Sequence, residues 1–213
     1  MASVRTIAFL VAATTVTAGA AIALSFPSTT SAACPDVEVV FARGTTEPPG
    51  VGGVGQAFVD SLRSQAGGRS VSVYPVNYPA TNDFGNSIAA GARDASGRVE
   101  STAASCPNTK MVLGGYSQGA AVVDVITGDM PADVADNVAA VAVFGNPSPA
   151  GSLSRRLWSG SLPAIGPMYA GKTIDLCMPG DPICTDGVSM GPHVQYVQSG
   201  MTSQAATFAA GRL

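Results

Sequence analysis

Ser117 stands inside Gly115-Tyr116-Ser117-Gln118-Gly119. A G-x-S-x-G pattern does chemistry where a strand turns sharply into a helix, because the turn lifts the serine hydroxyl clear of the sheet. The helix N-terminus then lies beneath it, and its partly positive N–H groups favour the negative charge that develops in acyl transfer. Both halves of that context are present. Met111, Val112 and Leu113 form an apolar run into a glycine pair, and Ala120, Ala121, Val122 and Val123 form a small, helix-compatible run away from it. A glycine on each side fits a turn with no room for side chains. A second match, Gly187-Val188-Ser189-Met190-Gly191, follows a cysteine-bounded loop, has no strand before it and runs into Pro192 instead of a helix. Ser117 is therefore the candidate nucleophile, and Ser189 is not.

A serine hydroxyl is a poor nucleophile until a base accepts its proton. The chain has one histidine, His193, placed after Gly191-Pro192 and downstream of the elbow, as the order Ser, Asp, His requires. The third member must orient the imidazole and stabilise its protonated form. Asp181 and Asp186 are the candidates on the loop after the last strand, with Asp175 expected inside that strand. Asp181 is favoured because Cys177 and Cys184 bracket it, and a pinched loop holds a carboxylate still. An oxyanion hole needs two donors: the N–H of Gln118, and a group beyond a neighbouring strand, for which Thr45 in Ala42-Arg43-Gly44-Thr45-Thr46-Glu47 is well placed. An ordinary polar turn fits Thr45 equally well.

These residues need a scaffold, and the hydrophobic pattern supplies one. Asp36 to Ala42 is a β-rich run, Val71 to Val76 a strand with an irregular end at Pro75, and Val138 to Phe144 an apolar strand of the kind buried on both faces. Ile174 to Met178 is a last short strand. Between them, Val54, Phe58 and Leu62 recur at helical spacing, and Asn86 to Ala104 reads as a helix with Ile88, Ala92 and Val99 on its apolar side. Residues 148–172 read as irregular, and His193 to Gly211 as one closing helix. Strands alternating with helices imply an α/β fold, a parallel sheet covered on both faces. Leu157, Trp158, Leu162, Val188 and Met190 lie in the two irregular stretches that could border Ser117.

Composition narrows the function classes. Only 12% of residues are charged and the net charge is −3, so nothing points to nucleic acid, whose recognition starts from a basic face. Arg5, the diluted apolar run from Ile7 to Leu24 and the small residues Thr30-Ser31-Ala32-Ala33 read as a secretory signal peptide spanning 1–32. Residues 33–213 then form a single domain. Four cysteines in an exported chain argue for two disulfides. Cys177 and Cys184 are close enough to bracket one loop, which leaves Cys34 with Cys106. A metal site is disfavoured by the spacing and the single histidine.

Four separated features in order, Ala-Arg-Gly-Thr-Thr-Glu, Gly-Tyr-Ser-Gln-Gly, Cys-x-x-x-Gly-Asp-x-x-Cys and Gly-Pro-His, make the chain from Cys34 to near Gly211 resemble the cutinase family, particularly its actinobacterial cutinase-like members. The resemblance implies a compact lidless α/β-hydrolase with a five-stranded parallel sheet. It also implies a Ser117, Asp181 and His193 triad, Thr45 and Gln118 at the oxyanion hole, and the two disulfides above. Thr45 stands where many fungal cutinases carry Ser. Val188 and Met190 are the apolar members of the Asp181–His193 loop, which lines the acyl site in the family. The expected activity is a secreted, extracellular or cell-wall-associated serine carboxylesterase acting on apolar esters. Phospholipase, thioesterase or polysaccharide deacetylase activity on the same scaffold are the alternatives, and an inactive secreted binding or antigenic protein is the reading from another class. The same reading expects no metal or organic cofactor, no nucleic-acid partner, a small or polymeric ester or lipid substrate with transient lipid-surface contact, and a monomer.

Overall fold

Val37–Ala42 (β1) is buried along its whole length, and its residues alternate between two separate cores. That alternation is the period of two expected of a sheet covered on both faces. A computed structural model describes residues 1, 2, 33–157 and 161–213. The leader read at Ile7 to Leu24, and Trp158, lie outside the described residues. In the unit from Ala33 to Leu213, β1 is followed by Gly52–Gln65 (α1), Val71–Pro75 (β2), Phe84–Ser105 (α2), Lys110–Tyr116 (β3) and Gln118–Asp129 (α3). Ala132–Ala135 (α4), Val138–Phe144 (β4), Ser154–Leu157 (α5), Thr173–Leu176 (β5) and Met201–Ala210 (α6) complete it. The five strands are parallel in the order β2-β1-β3-β4-β5, so β3, which delivers Ser117, is central.

One core lies between the sheet and α2 with α3: Val40, Met111, Leu113, Val141 and Val143 meet Ile88, Ala92, Val99, Val122 and Ile126. The other lies between the sheet and α1 with α6, where Phe41, Phe144 and Val112 meet Val54, Phe58, Leu62 and Ala206. Phe41, Phe58 and Phe144 pack tilted or edge-on to one another, with ring centroids 6.0–6.4 Å apart. Each such fully buried aromatic or Leu side chain contributes about 1.5–3 kcal/mol by leaving water. Pro75 is tolerated because β2 is an edge strand that asks no further N–H of it.

Cys34–Cys106 and Cys177–Cys184 are the two disulfides, as the spacing suggests. The last strand runs Thr173–Leu176, two residues short of the expected Met178, and three segments depart further from expectation. The single closing helix from His193 does not form: Pro192–Val194 is one 3₁₀ turn, and α6 begins only after Gly200, whose φ of 78° breaks the α-helical path. The 148–172 stretch holds α5 and a 3₁₀ helix at Pro167–Lys172, where Pro167 and short polar–apolar spacing allow only brief turns. The 86–104 helix starts earlier, at Phe84, because the Asp83 side chain accepts from the Asn86 N–H and caps it.

Candidate active site

Ser117 has φ 55° and ψ −117°, a region that side-chain-bearing residues enter at a cost of about 1–3 kcal/mol. The strain is held from both sides. Ser117 N–H donates to Phe144 O at 2.9 Å, tying the turn to β4. A Cβ on Gly115 would lie 2.2 Å from Gly119 O, and one on Gly119 would lie 2.0 Å from Ala42 O. Both glycines are therefore required for α3 to start this close to β3 and β1. The hydroxyl is left at the mouth of an apolar cleft of about 310 Å³, and among the described residues it forms no hydrogen bond.

His193 lines the same cleft, only 4% exposed. Its Nδ1 meets Asp181 Oδ2 at 2.7 Å, and its own carbonyl accepts from Tyr116 Oη at 2.7 Å. The Tyr116 ring stacks on the imidazole, centroids 5.0 Å apart. The phenol can only act as donor there, because burial pushes its ionisation well above the usual range. Asp181 is fully buried on the loop closed by Cys177–Cys184. Burial alone would raise its carboxyl, but hydrogen bonds from His193, Tyr196 and the Ile183 N–H outweigh that and hold it below the ordinary carboxylate value. It is thus a fixed anion facing Nδ1, which leaves Nε2 as the imidazole's acceptor atom. The alternative, Asp186, is 83% exposed and pairs with Arg155 at 2.9 Å.

Thr45 and Gln118 meet at the cleft. The Gln118 carboxamide is consumed elsewhere, with Nε2 donating to Thr81 O at 2.7 Å and Oε1 accepting from Ser87 Oγ at 3.0 Å. Its backbone N–H opens α3, where a helix has no internal acceptors to offer. The Thr45 loop is clamped from beneath. Buried Arg43 donates to Glu47 O at 2.8 Å and Tyr78 O at 2.7 Å, while Tyr78 Oη donates to Arg43 O. Glu47 closes the turn by accepting from the Gly44 and Gly53 N–H groups at 2.6 and 2.8 Å. Backbone groups fixed in this way are already in place for any charge that develops beside them.

The cleft wall is apolar. Met190 and Leu157 border it as the sequence suggests, joined by Phe84, Leu153, Ile183 and Val194, which carried no pattern to mark them. Val188 is fully exposed and lies in a neighbouring groove with Ser189 and Arg156, on the far side of a wall made by Leu153 and Met190. The structure therefore brings Met190, and not Val188, to Ser117. Tyr116 and Tyr196 were invisible in this role from sequence, although Tyr196 follows His193 by only three residues, just past the 3₁₀ turn at Pro192–Val194.

A parallel sheet with a strained serine between its central strand and helix, beside a buried His–Asp pair, defines a serine ester hydrolase of the α/β-hydrolase class. A family model described as Cutinase matches residues 33–213. Carboxylesterase Culp1 of Mycobacterium tuberculosis is 62% identical over 181 residues, covering 84% of this chain and 82% of its own. Phospholipase Culp4 of the same organism is 50% identical over 193 residues, covering 86% and 81%. Among solved structures, a Trichoderma reesei cutinase in complex with a phosphonate inhibitor superposes with a TM-score of 0.68 at 34% identity, over 84% of this chain and 76% of that one. The chain belongs to the cutinase family.

Proposed function

We propose that this chain is an exported serine carboxylesterase that cleaves apolar carboxylic esters, with Ser117 as nucleophile, His193 as general base and Asp181 as its orienting carboxylate. The observation that carries it is the convergence of the strained Ser117 and the buried His193–Asp181 pair on one apolar cleft. Ser117 Oγ attacks the ester carbonyl as His193 Nε2 takes its proton, and the oxyanion forms between the Gln118 N–H and Thr45. The imidazolium returns the proton to the departing alcohol, which leaves an acyl-enzyme. Water repeats the sequence in reverse roles and frees the acid. Closure of the Ser117–His193 hydrogen bond on substrate binding is ordinary for such sites. Export is supported by the leader-like sequence at 1–32 and by two disulfides, bonds that persist in oxidising compartments.

Ser117→Ala is expected to lose ester hydrolysis by several orders of magnitude, whereas Ser189→Ala keeps most of it. Robust hydrolysis by Ser117→Ala would overturn the assignment. Phospholipid hydrolysis is a second reading, favoured by the 50% identity to a protein named a phospholipase. Comparing short-chain monoesters with a diacyl phospholipid on the same enzyme separates the two, because the activity that dominates kcat/KM names the class.

A further inference from the structure

The Asp181 carboxylate is gripped by three donors, and one of them has no place in a Ser–His–Asp scheme. Tyr196 Oη donates to Asp181 Oδ2 at 2.6 Å, the same oxygen that faces His193 Nδ1 at 2.7 Å. The phenol oxygen also accepts from Met178 N–H at 3.1 Å, and Cys184 Sγ lies 3.6 Å away. Tyr196 has no exposed surface, and its ring stands edge-on to Tyr116, Phe144 and His193. A Cβ on Gly145, where φ is 56°, would fall 2.9–3.0 Å from His193 Cε1, Asp181 Oδ2 and Tyr196 Oη together. Three elements thus converge on one carboxylate oxygen, packed so closely that only glycine fits beside it.

We propose that Tyr196 is a positioning residue of the catalytic centre: its hydroxyl fixes the Asp181 carboxylate against His193 and sets how much negative charge Oδ2 presents to the imidazolium. This rests on the Ser117–His193–Asp181 reading above. A phenyl ring alone could fill this space. Tyr196 instead places its one proton on the oxygen that matters to His193 and uses its lone pair to anchor to Met178, in the loop just after β5. The first effect is geometric, since the Ile183 N–H holds Oδ1 while Oδ2, the oxygen that faces the imidazole, is fixed on the protein side by Tyr196 alone. The second is electrostatic, because two donors on Oδ2 share its charge.

Both effects can be read from Tyr196→Phe, which keeps the ring and removes the oxygen. Tyr196 does not line the cleft, so KM should stay near wild type while kcat falls about tenfold, the usual scale for a hydrogen bond to a charged group. With one donor fewer, Oδ2 presents more charge to the imidazolium. The acid limb of kcat/KM should then move to higher pH by on the order of half a unit. The other titratable groups at the junction are Tyr116 on β3 and Glu47 on the Thr45 loop, whose charge reaches Tyr116, and neither is altered. Replacing Tyr196 with 3-fluorotyrosine, a stronger donor of the same shape, should move the limb the opposite way. It also serves if Tyr196→Phe does not fold. Rates are normalised to active sites titrated with a fluorophosphonate. A normalised kcat and acid limb unchanged in both variants would reject Tyr196 as a positioning residue, and would leave the triad standing if Ser117→Ala is dead in the same assay. An active Ser117→Ala would instead reject the reading on which the proposal rests.

Discussion

A carboxylate's protonation is decided by what touches it, and two of the buried carboxylates among the described residues, Asp181 and Asp124, have opposite outcomes. Asp181 receives three hydrogen bonds and stays ionised. Asp124, buried on α3, receives one, from Asn146 Nδ2 at 3.2 Å. Its Oδ2 and Asn146 Oδ1 are both buried acceptors without a partner. Burial, only partly offset by Asn146 and reinforced by the charge of Asp175, pushes Asp124 up to about 7. A proton on Oδ2 would give the acid a donor where Asn146 offers an acceptor. The sign of the stability effect follows. Between the unfolded value of 3.8 and about 7 the unfolded chain releases this proton and the folded chain keeps it, so stability falls as pH rises through that window and levels off above it. The loss is on the order of a few kcal/mol. Asp181 acts in the other direction and at lower pH: its contribution is present above the ordinary carboxylate value and lost as pH falls through its depressed one. Thermal melts from pH 5 to 8 should show a falling Tm in the wild type and a flatter profile in Asp124→Asn, whose amide can donate to Asn146. Equal slopes in the two proteins would contradict a buried, protonated Asp124.

At the scale of elements, the two disulfides do different work. Cys34–Cys106 ties the start of β1 to the end of α2 across 72 residues, and on the chain-entropy model it contributes about 4 kcal/mol. Cys177–Cys184 closes only seven, for about 2.5 kcal/mol, yet it frames the turn that carries Asp181. Cys177→Ser/Cys184→Ser is expected to lose much of kcat while remaining folded at moderate temperature. Cys34→Ser/Cys106→Ser should lower Tm more and kcat less. Circular dichroism melts beside esterase assays on the same samples read both. Wild-type kcat in the first mutant would mean that Tyr196 and the Ile183 N–H hold Asp181 without the disulfide. Elements were legible in the sequence where one force dominated. Val138–Phe144 is uniformly apolar because β4 is covered on both faces, and Val54, Phe58 and Leu62 mark α1 because one face of it is buried. The segment after His193 reads as one helix because its helical composition continues through Gly200, and a single left-handed glycine keeps the helix from extending back through it without changing that composition.

For the whole molecule, the site is assembled from distant pieces of chain, and this sets the limit of what sequence patterns expose. Ser117, Gln118 and Thr45 carry local signals, since sharp turns need glycines beside them. Asp181 and Asp186 both sit in plausible turns, and only the fold puts one against His193 and the other against Arg155. Tyr196 meets Asp181 across 15 residues with no periodicity to announce it, and the irregular Gly187–Gly191 segment gives no rule for which of Val188 and Met190 faces Ser117. The proposed chemistry needs one serine, raised by a strained turn and served by a buried His–Asp pair. The most direct measurement is stoichiometric labelling by a fluorophosphonate, followed by peptide mapping. One label per chain is expected, on Ser117, formed at a rate that collapses in His193→Ala while the fold persists. A label on Ser189, or ester hydrolysis that continues undiminished after Ser117 is fully labelled, would contradict it.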